Sequence, residues 1–88
     1  MIGDVLAGFR SAAARVKQTG LDGIEVVASH GYLTAHFFNP RVNVRLDEYG
    51  GSFENRLRFA RLVLAAVRDG AGPDMAIEMM VFRRWKRP

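Results

Sequence analysis

The side chains best suited to chemistry in this sequence are His30 and Tyr32. They lie two residues apart, just after a short apolar segment with the composition of a buried strand. An imidazole can hydrogen-bond a substrate oxygen or exchange a proton near neutral pH, and a phenol can donate a proton to a developing carbanion. The same side chains can instead hold a loop together through hydrogen bonds, and their spacing alone favours that structural role.

Other binding motifs are weak. His30 and His36 are six residues apart, which is not a metal-pair spacing on a helix, and no carboxylate completes the ligand set, so we expect no metal site. The adjacent acids Asp47 and Glu48 are expected to be solvated. The Gly-Gly-Ser run at 50–52 could present backbone amides to an anion, but a turn followed by a serine helix cap is the simpler interpretation. Motifs alone therefore name no cofactor-binding residue.

Composition excludes several functional classes. The chain has no cysteine, which excludes disulfide frameworks, thiolate zinc sites and cysteine nucleophiles. No apolar run approaches the roughly 20 residues that span a bilayer. The first residues also lack the basic-then-apolar order of a signal peptide. We therefore expect a cytoplasmic protein without a membrane partner.

The net charge of +4 is concentrated at one end of the chain. Without the four basic residues at 83, 84, 86 and 87, nine basic residues balance nine acidic ones. The excess therefore belongs to a basic tail at 83–88, not to the domain segment at 1–82. A nucleic-acid footprint is normally a stripe across a folded face, so we expect no nucleic-acid partner.

Hydrophobic periodicity predicts four elements in the order helix, strand, long loop, helix, strand. The predicted ranges are 4–18 for the first helix, 24–28 for the first strand, 29–51 for the loop, 52–69 for the second helix and 75–82 for the second strand. This alternation is typical of an α/β architecture in which helices connect parallel strands. A loop of this length in a small domain is usually functional.

The apolar residues of the two helices recur at helical spacing and predict one buried stripe on each. The stripes comprise Val5, Phe9, Ala12 or Ala13 and Val16 on the first helix, and Phe59, Leu62 or Val63, Ala66 and Val67 on the second. Two strands cannot close a barrel or cover both faces of a sheet. The sequence therefore predicts a fragment of a larger fold.

Several runs in the chain resemble the old yellow enzyme family of NADH:flavin oxidoreductases. This family includes ene reductases, dienoyl-CoA reductase and trimethylamine dehydrogenase. The similarity covers residues 8–76, and its most specific part is the string Asp-Glu-Tyr-Gly-Gly-Ser-x-Glu-Asn-Arg-x-Arg-Phe at 47–59. Further matches are Gly-Leu-Asp-Gly-Ile-Glu-Val at 20–26 and His-Gly-Tyr-Leu at 30–33.

The resemblance implies a mid-barrel fragment of a (β/α)₈ TIM barrel that binds FMN at the carboxyl ends of its strands. The implied activity is hydride transfer from NAD(P)H through FMN to an activated alkene or a related small-molecule substrate. His30 matches the second member of a pair that holds the substrate's carbonyl oxygen, and Tyr32 matches the proton-donating tyrosine. The sequence leaves open the substrate, the choice between NADH and NADPH, and the reductase or amine dehydrogenase branch.

Two positions depart from the family pattern. Val27 stands where the first member of the oxygen-holding pair is expected, and valine cannot donate a hydrogen bond. Met80 stands near the position of an arginine that faces the flavin. The match fades after Ala76, and the tail does not resemble the family's continuation.

These departures lead to expectations about the isolated chain. We expect a truncated or frameshifted product that lacks the first part of the barrel and also the last units, which build the FMN phosphate site. Such a chain should bind FMN weakly and be inactive. An oligomerising remnant without catalysis is the alternative, because uncovered strand edges and helix faces could pair with another copy. A small basic nucleic-acid binder is the third hypothesis.

Overall fold

Helices and strands alternate along the chain in the predicted order. The computed structural model describes residues 1–27, 36–37 and 39–80, without the side chains of Val27 and Met80. The elements are helix α1 (Ile2–Gln18), strand β1 (Gly23–Val27), helix α2 (Phe53–Ala71) and strand β2 (Ala76–Met80). In this described part, neither helix is long and apolar enough to cross a membrane.

Helix α1 begins two residues before its predicted start. Asp4 therefore lies in the first turn and not at the N-cap. In the first turn, its negative carboxylate interacts favourably with the positive end of the helix dipole. The helix ends at Gln18, and the Thr19 hydroxyl donates a 2.6 Å hydrogen bond to the carbonyl of Val16. Gly20 then adopts a φ of +83°, a left-handed conformation that glycine reaches without strain. The predicted end of this helix at residue 18 is confirmed.

Helix α2 is capped by Ser52, as predicted, and its hydroxyl accepts a 3.1 Å hydrogen bond from the amide of Asn55. The helix continues two residues beyond its predicted end at 69, because the glycine that breaks it is Gly72 with a φ of +86°. The Arg68 guanidinium then donates to the carbonyls of Gly72 at 2.9 Å and Met75 at 2.6 Å. These bonds satisfy carbonyl groups in the turn that leads into β2.

The two strands form a parallel pair in which Gly23 is opposite Ala76 and Val27 is opposite Met80. Both helices cover one face of this pair. The core joins residues of α1, β1, α2 and the start of β2; its buried members are Ala13, Val26, Phe59, Val63, Val67, Ala71 and Met75. This confirms the predicted stripes and resolves their open choices, because Ala13 and Val63 are the buried members.

The helices approach each other most closely at Gly70. A methyl group at this position would lie 3.2 Å from the Cβ of Ala13 and would collide with the carbonyl oxygen of Arg10. An exposed ion pair of 2.7 Å between Arg10 and Asp69 lies beside this contact, and its exposure limits its contribution. Backbone proximity therefore makes glycine necessary at position 70 inside a helix, where it is normally unfavourable.

We predict that Gly70→Ala destabilises the chain by about 1–3 kcal/mol, because the helices must separate to admit the methyl group. The matched control is Gly8→Ala on α1, where a new Cβ has no neighbour within 4 Å. That control should stabilise the chain by about 0.5–1 kcal/mol through helix propensity. Urea unfolding followed by circular dichroism measures both, and equal effects of the two substitutions would contradict the close-approach argument.

Candidate functional site

The candidate site lies where β1 ends and the long loop begins. The predicted site residues His30 and Tyr32 lie outside the described residues, so their roles stay predictions. His36 is described and exposed, on the rim of a cavity of about 190 Å³ whose other lining residues include Asn43 and Arg45. His36 is therefore a surface residue, in the helical residues 36–37.

The two departures from the family pattern are neighbours in the sheet. Val27 is the last residue of β1, Met80 is the last residue of β2, and the parallel register places them directly opposite each other. The carboxyl ends of parallel strands form the edge at which α/β proteins build their sites. Both residues are apolar, so the two positions expected to supply a hydrogen-bond donor and a cation supply neither.

The loop that returns from this edge to α2 is organised around the side-chain amide of Asn43, which is 9% exposed. Its Nδ2 donates hydrogen bonds of 2.8 Å to the carbonyl of Phe37 and 2.7 Å to the carbonyl of Tyr49. Its Oδ1 accepts a 3.1 Å bond from the amide of Arg45, and its own amide donates to the carbonyl of Asn39 at 2.7 Å. One side chain therefore joins both ends of the loop.

Aromatic contacts fix the loop to the core. The ring of Phe37 stacks on Phe59 with centroids 4.2 Å apart and an interplanar angle of 20°. Tyr49 meets Phe37 edge-on at 6.2 Å. The Arg45 guanidinium carbon lies 5.7 Å from the centroid of Phe37 and 5.8 Å from that of Tyr49, within range of a cation–π interaction.

Arg45 and Asp47 form a bidentate ion pair at the loop surface. The Arg45 Nε and Nη2 donate to the Asp47 carboxylate at 3.0 and 2.6 Å, and the amide of Tyr49 also donates to it at 3.0 Å. The guanidinium hydrogen bond, followed by that of the Tyr49 amide, lowers the pKa of Asp47 below its ordinary value of 3.8. Asp47 and Glu48 were expected to be solvated. Asp47 is half-exposed, but its carboxylate is also held by Arg45 and by the Tyr49 amide.

The most specific string in the sequence anchors the loop to α2. Asn55 donates through Nδ2 to the carbonyl of Gly50 at 2.9 Å, and Arg58 donates to the carbonyl of Glu48 at 2.8 Å and to Asn55 Oδ1 at 3.1 Å. A Cβ on Gly50 would lie 2.8 Å from the Cβ of Arg45, so only glycine fits there. The string therefore specifies a loop geometry, and none of its described contacts requires a ligand.

The sequence analysis did not predict that the polar residues of the loop contact one another and hold the loop together. Asn43, Arg45 and Asp47 alternate with the exposed apolar residues Val42, Val44 and Leu46. The predicted loop is confirmed for 39–51, because the structure assigns no helix or strand to these residues. Polar residues at every second position of a loop were the signal for inward hydrogen bonding.

The strand face opposite the helices has an acidic character. Glu25 of β1 and Glu78 of β2 are register partners, two positions before Val27 and Met80. A reduced flavin carries negative charge and needs a cation or several amide donors nearby. Within the described residues, the two strands offer carboxylates at this level and neither Arg nor Lys. These strand residues therefore do not fit an anionic flavin by themselves.

Comparison with known proteins identifies the chain's relatives. The model of the NADH:flavin oxidoreductase / NADH oxidase family matches residues 1–84, which is longer at both ends than the expected 8–76. The expectation that similarity fades after Ala76 is therefore wrong. The expected limits rested on short motifs, whereas a family pattern also includes the apolar positions of helices and strands.

The similarity extends to individual enzymes and to solved structures. The chain is 49% identical over 77 residues to N,N-dimethylglycine/sarcosine dehydrogenase of Chromohalobacter salexigens, covering 88% of the chain and 11% of that enzyme. It superposes with a TM-score of 0.85 and 42% identity on histamine dehydrogenase from Rhizobium sp. 4-9, covering 91% of the chain and 12% of that structure. For morphinone reductase in complex with tetrahydroNAD the TM-score is 0.84 and the identity 38%, with coverage of 91% and 22%. The chain thus spans between about a tenth and about a fifth of these relatives.

We predict that Asn43→Ala destabilises the chain by about 1–3 kcal/mol, because the partly buried carbonyls of Phe37 and Tyr49 lose their donor. The control is Asn39→Ala, which removes only the exposed 2.9 Å bond from the Arg41 amide and should change stability by less than about 0.5 kcal/mol. Urea unfolding measures both variants. Hydrogen exchange at the Arg45 amide should also accelerate in Asn43→Ala, and unchanged exchange would argue against the amide as the loop's organiser.

The lowered pKa of Asp47 predicts a pH dependence of stability. Because its folded-state pKa lies below its unfolded value of 3.8, its contribution is present above that value and is lost as the pH falls through the folded pKa. The Asp47→Asn variant should therefore lose stability relative to wild type at pH 7 and match it more closely below pH 3. Glu48→Gln is the control. A wild-type advantage that stays constant with pH would refute the ion pair's role.

Proposed function

Because the chain belongs to the NADH:flavin oxidoreductase / NADH oxidase family, we propose that it is a segment of an FMN-dependent oxidoreductase of the old yellow enzyme type. The observation that carries this proposal is the family match over residues 1–84. Residues 1–82 would form the barrel segment, and the basic residues at 83–88 would form a tail.

The fold supports a place in the middle of a (β/α)₈ barrel. In such a barrel, parallel strands form the inner wall and helices cover only their outer face. The pair β1–β2 is parallel, and α1 and α2 both pack on the face that carries Val26. Glu25 and Glu78 would then belong to the inner wall, and the loop anchored by Asn43 would lie on the catalytic side.

Within that barrel, His30 and Tyr32 are the proposed catalytic residues. The His30 imidazole would donate a hydrogen bond to the substrate's carbonyl oxygen and draw electron density from the conjugated alkene. The Tyr32 phenol would donate a proton to the carbon opposite the one that receives hydride. When bound, FMN supplies the hydride that it has taken from NADH or NADPH.

Val27 and Met80 set the limits of this activity. With valine at position 27, His30 would hold the substrate oxygen alone, so the oxygen would be held more weakly than by two donors. With methionine at position 80, the inner wall would lack a cation near the flavin. The similarity to both morphinone reductase and amine-oxidising dehydrogenases leaves either substrate class open to this segment.

We propose that the 88-residue chain alone is not a working enzyme. TIM barrels build the phosphate site of a bound cofactor from the loops after their last strands, whereas the resemblance places this segment in the middle of the barrel. The remaining units of the barrel would have to supply that site. In a complete barrel of this family, holding the flavin phosphate would therefore fall to units other than this segment.

A flavin titration tests this division of roles. FMN fluorescence should not be quenched saturably by the purified chain at micromolar concentration, and size-exclusion chromatography run alongside reports its oligomeric state. Saturable quenching would mean that the chain, alone or as an oligomer, rebuilds a flavin pocket, and the proposal of an inactive segment would fail.

A chimera tests the family role of the segment directly. Residues 1–80 would replace the matching segment of morphinone reductase, and enone reduction with NADH would be followed together with flavin absorbance. We predict that Tyr32→Phe lowers kcat in the chimera by roughly 10²–10⁴-fold, the range of lost general acid catalysis. Val27→His should raise the affinity for the enone by restoring the second donor. A Tyr32→Phe chimera as active as its parent would refute the proton-donor role.

A second candidate is an assembly module without catalysis. Large apolar side chains are exposed on the described surface, including Leu46, Val44 and Phe53, and an apolar cavity of about 210 Å³ lies between α1 and β1. Within the described part, each strand also pairs on one edge only. Concentration-dependent association in the size-exclusion run, with no flavin binding, would favour this candidate.

A further inference from the structure

The inner face of the strand pair carries two acids that the proposed reaction does not use. The parallel register places Glu25 directly opposite Glu78. Side chains alternate between the faces of a strand, and the neighbours Val26 and Ile77 pack into the helix-covered core. Both carboxyl groups therefore lie on the face away from the helices, at the separation of cross-strand partners.

No opposite charge compensates this pair within the described residues. On the same strands the remaining residues are apolar or glycine, so β1 and β2 offer only these two ionisable groups. The nearest acids along the chain, Asp22 and Asp74, precede the strands and would add negative charge. The described ion pairs, Arg10 with Asp69 and Arg45 with Asp47, involve other carboxylates.

Two carboxyl groups on register partners can form a hydrogen bond only when one of them is protonated, because ionised carboxylates are acceptors only. The pKa of Glu25 is raised above its ordinary value of 4.5, first by the hydrogen bond to Glu78, then by burial and by the like charge of Glu78. The direction of this shift agrees with the geometry. A raised value means that the folded chain holds the proton more tightly than the unfolded chain does.

We propose that Glu25 and Glu78 share one proton and that this shared proton couples the pairing of β1 and β2 to pH. When the proton is present, one carboxyl group donates to the other and the strands gain a cross-strand hydrogen bond. When the proton is lost, two like charges face each other across neighbouring strands, which opposes their pairing. The strand pair is therefore more stable in mildly acidic solution than at neutral pH.

The sign of the effect follows from proton linkage. For a group whose folded-state pKa is raised, the stabilisation is present below the unfolded value of 4.5 and is lost as the pH rises through the folded value. This is the opposite direction to the effect of Asp47. The contributions of Glu25 and Asp47 to stability can therefore be distinguished by the pH range in which each is lost and by substituting each residue separately.

The position of the pair under the catalytic edge rests on the proposed barrel, whereas proton sharing rests only on the β1–β2 register. In the complete barrel this proton would set the charge of the inner wall two residues below Val27 and Met80. A failed flavin experiment would leave the proton-sharing proposal standing, and a failed titration would leave the family role standing.

The test is an NMR titration of the Glu25 side-chain carboxyl carbon in the 88-residue chain. Wild type should titrate above pH 4.5, and Glu78→Gln should return the Glu25 midpoint toward 4.5. Glu48→Gln, which removes an acid away from the strands, should leave that midpoint unchanged. An ordinary midpoint in wild type, or a raised midpoint that survives Glu78→Gln, would overturn the proposal.

A second measurement does not depend on resolving that carbon. The free energy of unfolding of wild type should fall as the pH rises from 4.5 toward neutrality, relative to Glu25→Gln at each pH. The glutamine variant keeps the size and hydrogen-bonding capacity of the side chain but cannot lose a proton. A difference between the two proteins that is independent of pH would overturn the coupling even if the titration were ambiguous.

Discussion

The side-chain amide of Asn43 is the interaction on which the described part of the loop depends. A loop between a parallel strand and a covering helix must satisfy its backbone polar groups without a ladder of its own. Asn43 does so by donating to the carbonyls of Phe37 and Tyr49, which belong to segments separated by a turn. With those carbonyls held, the ring of Phe37 can stack on Phe59 and connect the loop to the core.

The same arrangement explains why a long and family-specific string need not contain catalytic groups. Asp47, Gly50, Asn55 and Arg58 are each required by a specific backbone contact or by a close approach of two chain segments. Such constraints are as restrictive as chemistry, because a carbonyl oxygen accepts only from a donor at the correct distance and angle. The string therefore identifies the family through its architecture, while the proposed chemistry belongs to His30 and Tyr32.

The strand ends give this member of the family its individual character. Val27 and Met80 look like unrelated departures along the chain, but the parallel register makes them neighbours at the carboxyl edge of the strand pair. The level beneath them holds Glu25 and Glu78, which face each other without a cation among the described residues. Relative to a site with two donors and an arginine, the strand pair is apolar at its carboxyl edge and acidic two residues before it.

The sequence by itself determined the α/β class, the order of the elements and the faces of the helices, because hydrophobic periodicity and glycine or serine signals act over a few residues. It also determined the family, through strings whose spacing is specific. Only the tertiary structure showed that α2 continues through Gly70 and that the close approach of Arg10 and Ala13 leaves room for no side chain there. Only the tertiary structure showed which carbonyl groups Asn43 binds. It also showed that Val27 pairs with Met80, and Glu25 with Glu78, in the register of the two strands. Those contacts join residues far apart in the chain, and strand register depends on how the helices pack, which no local pattern encodes.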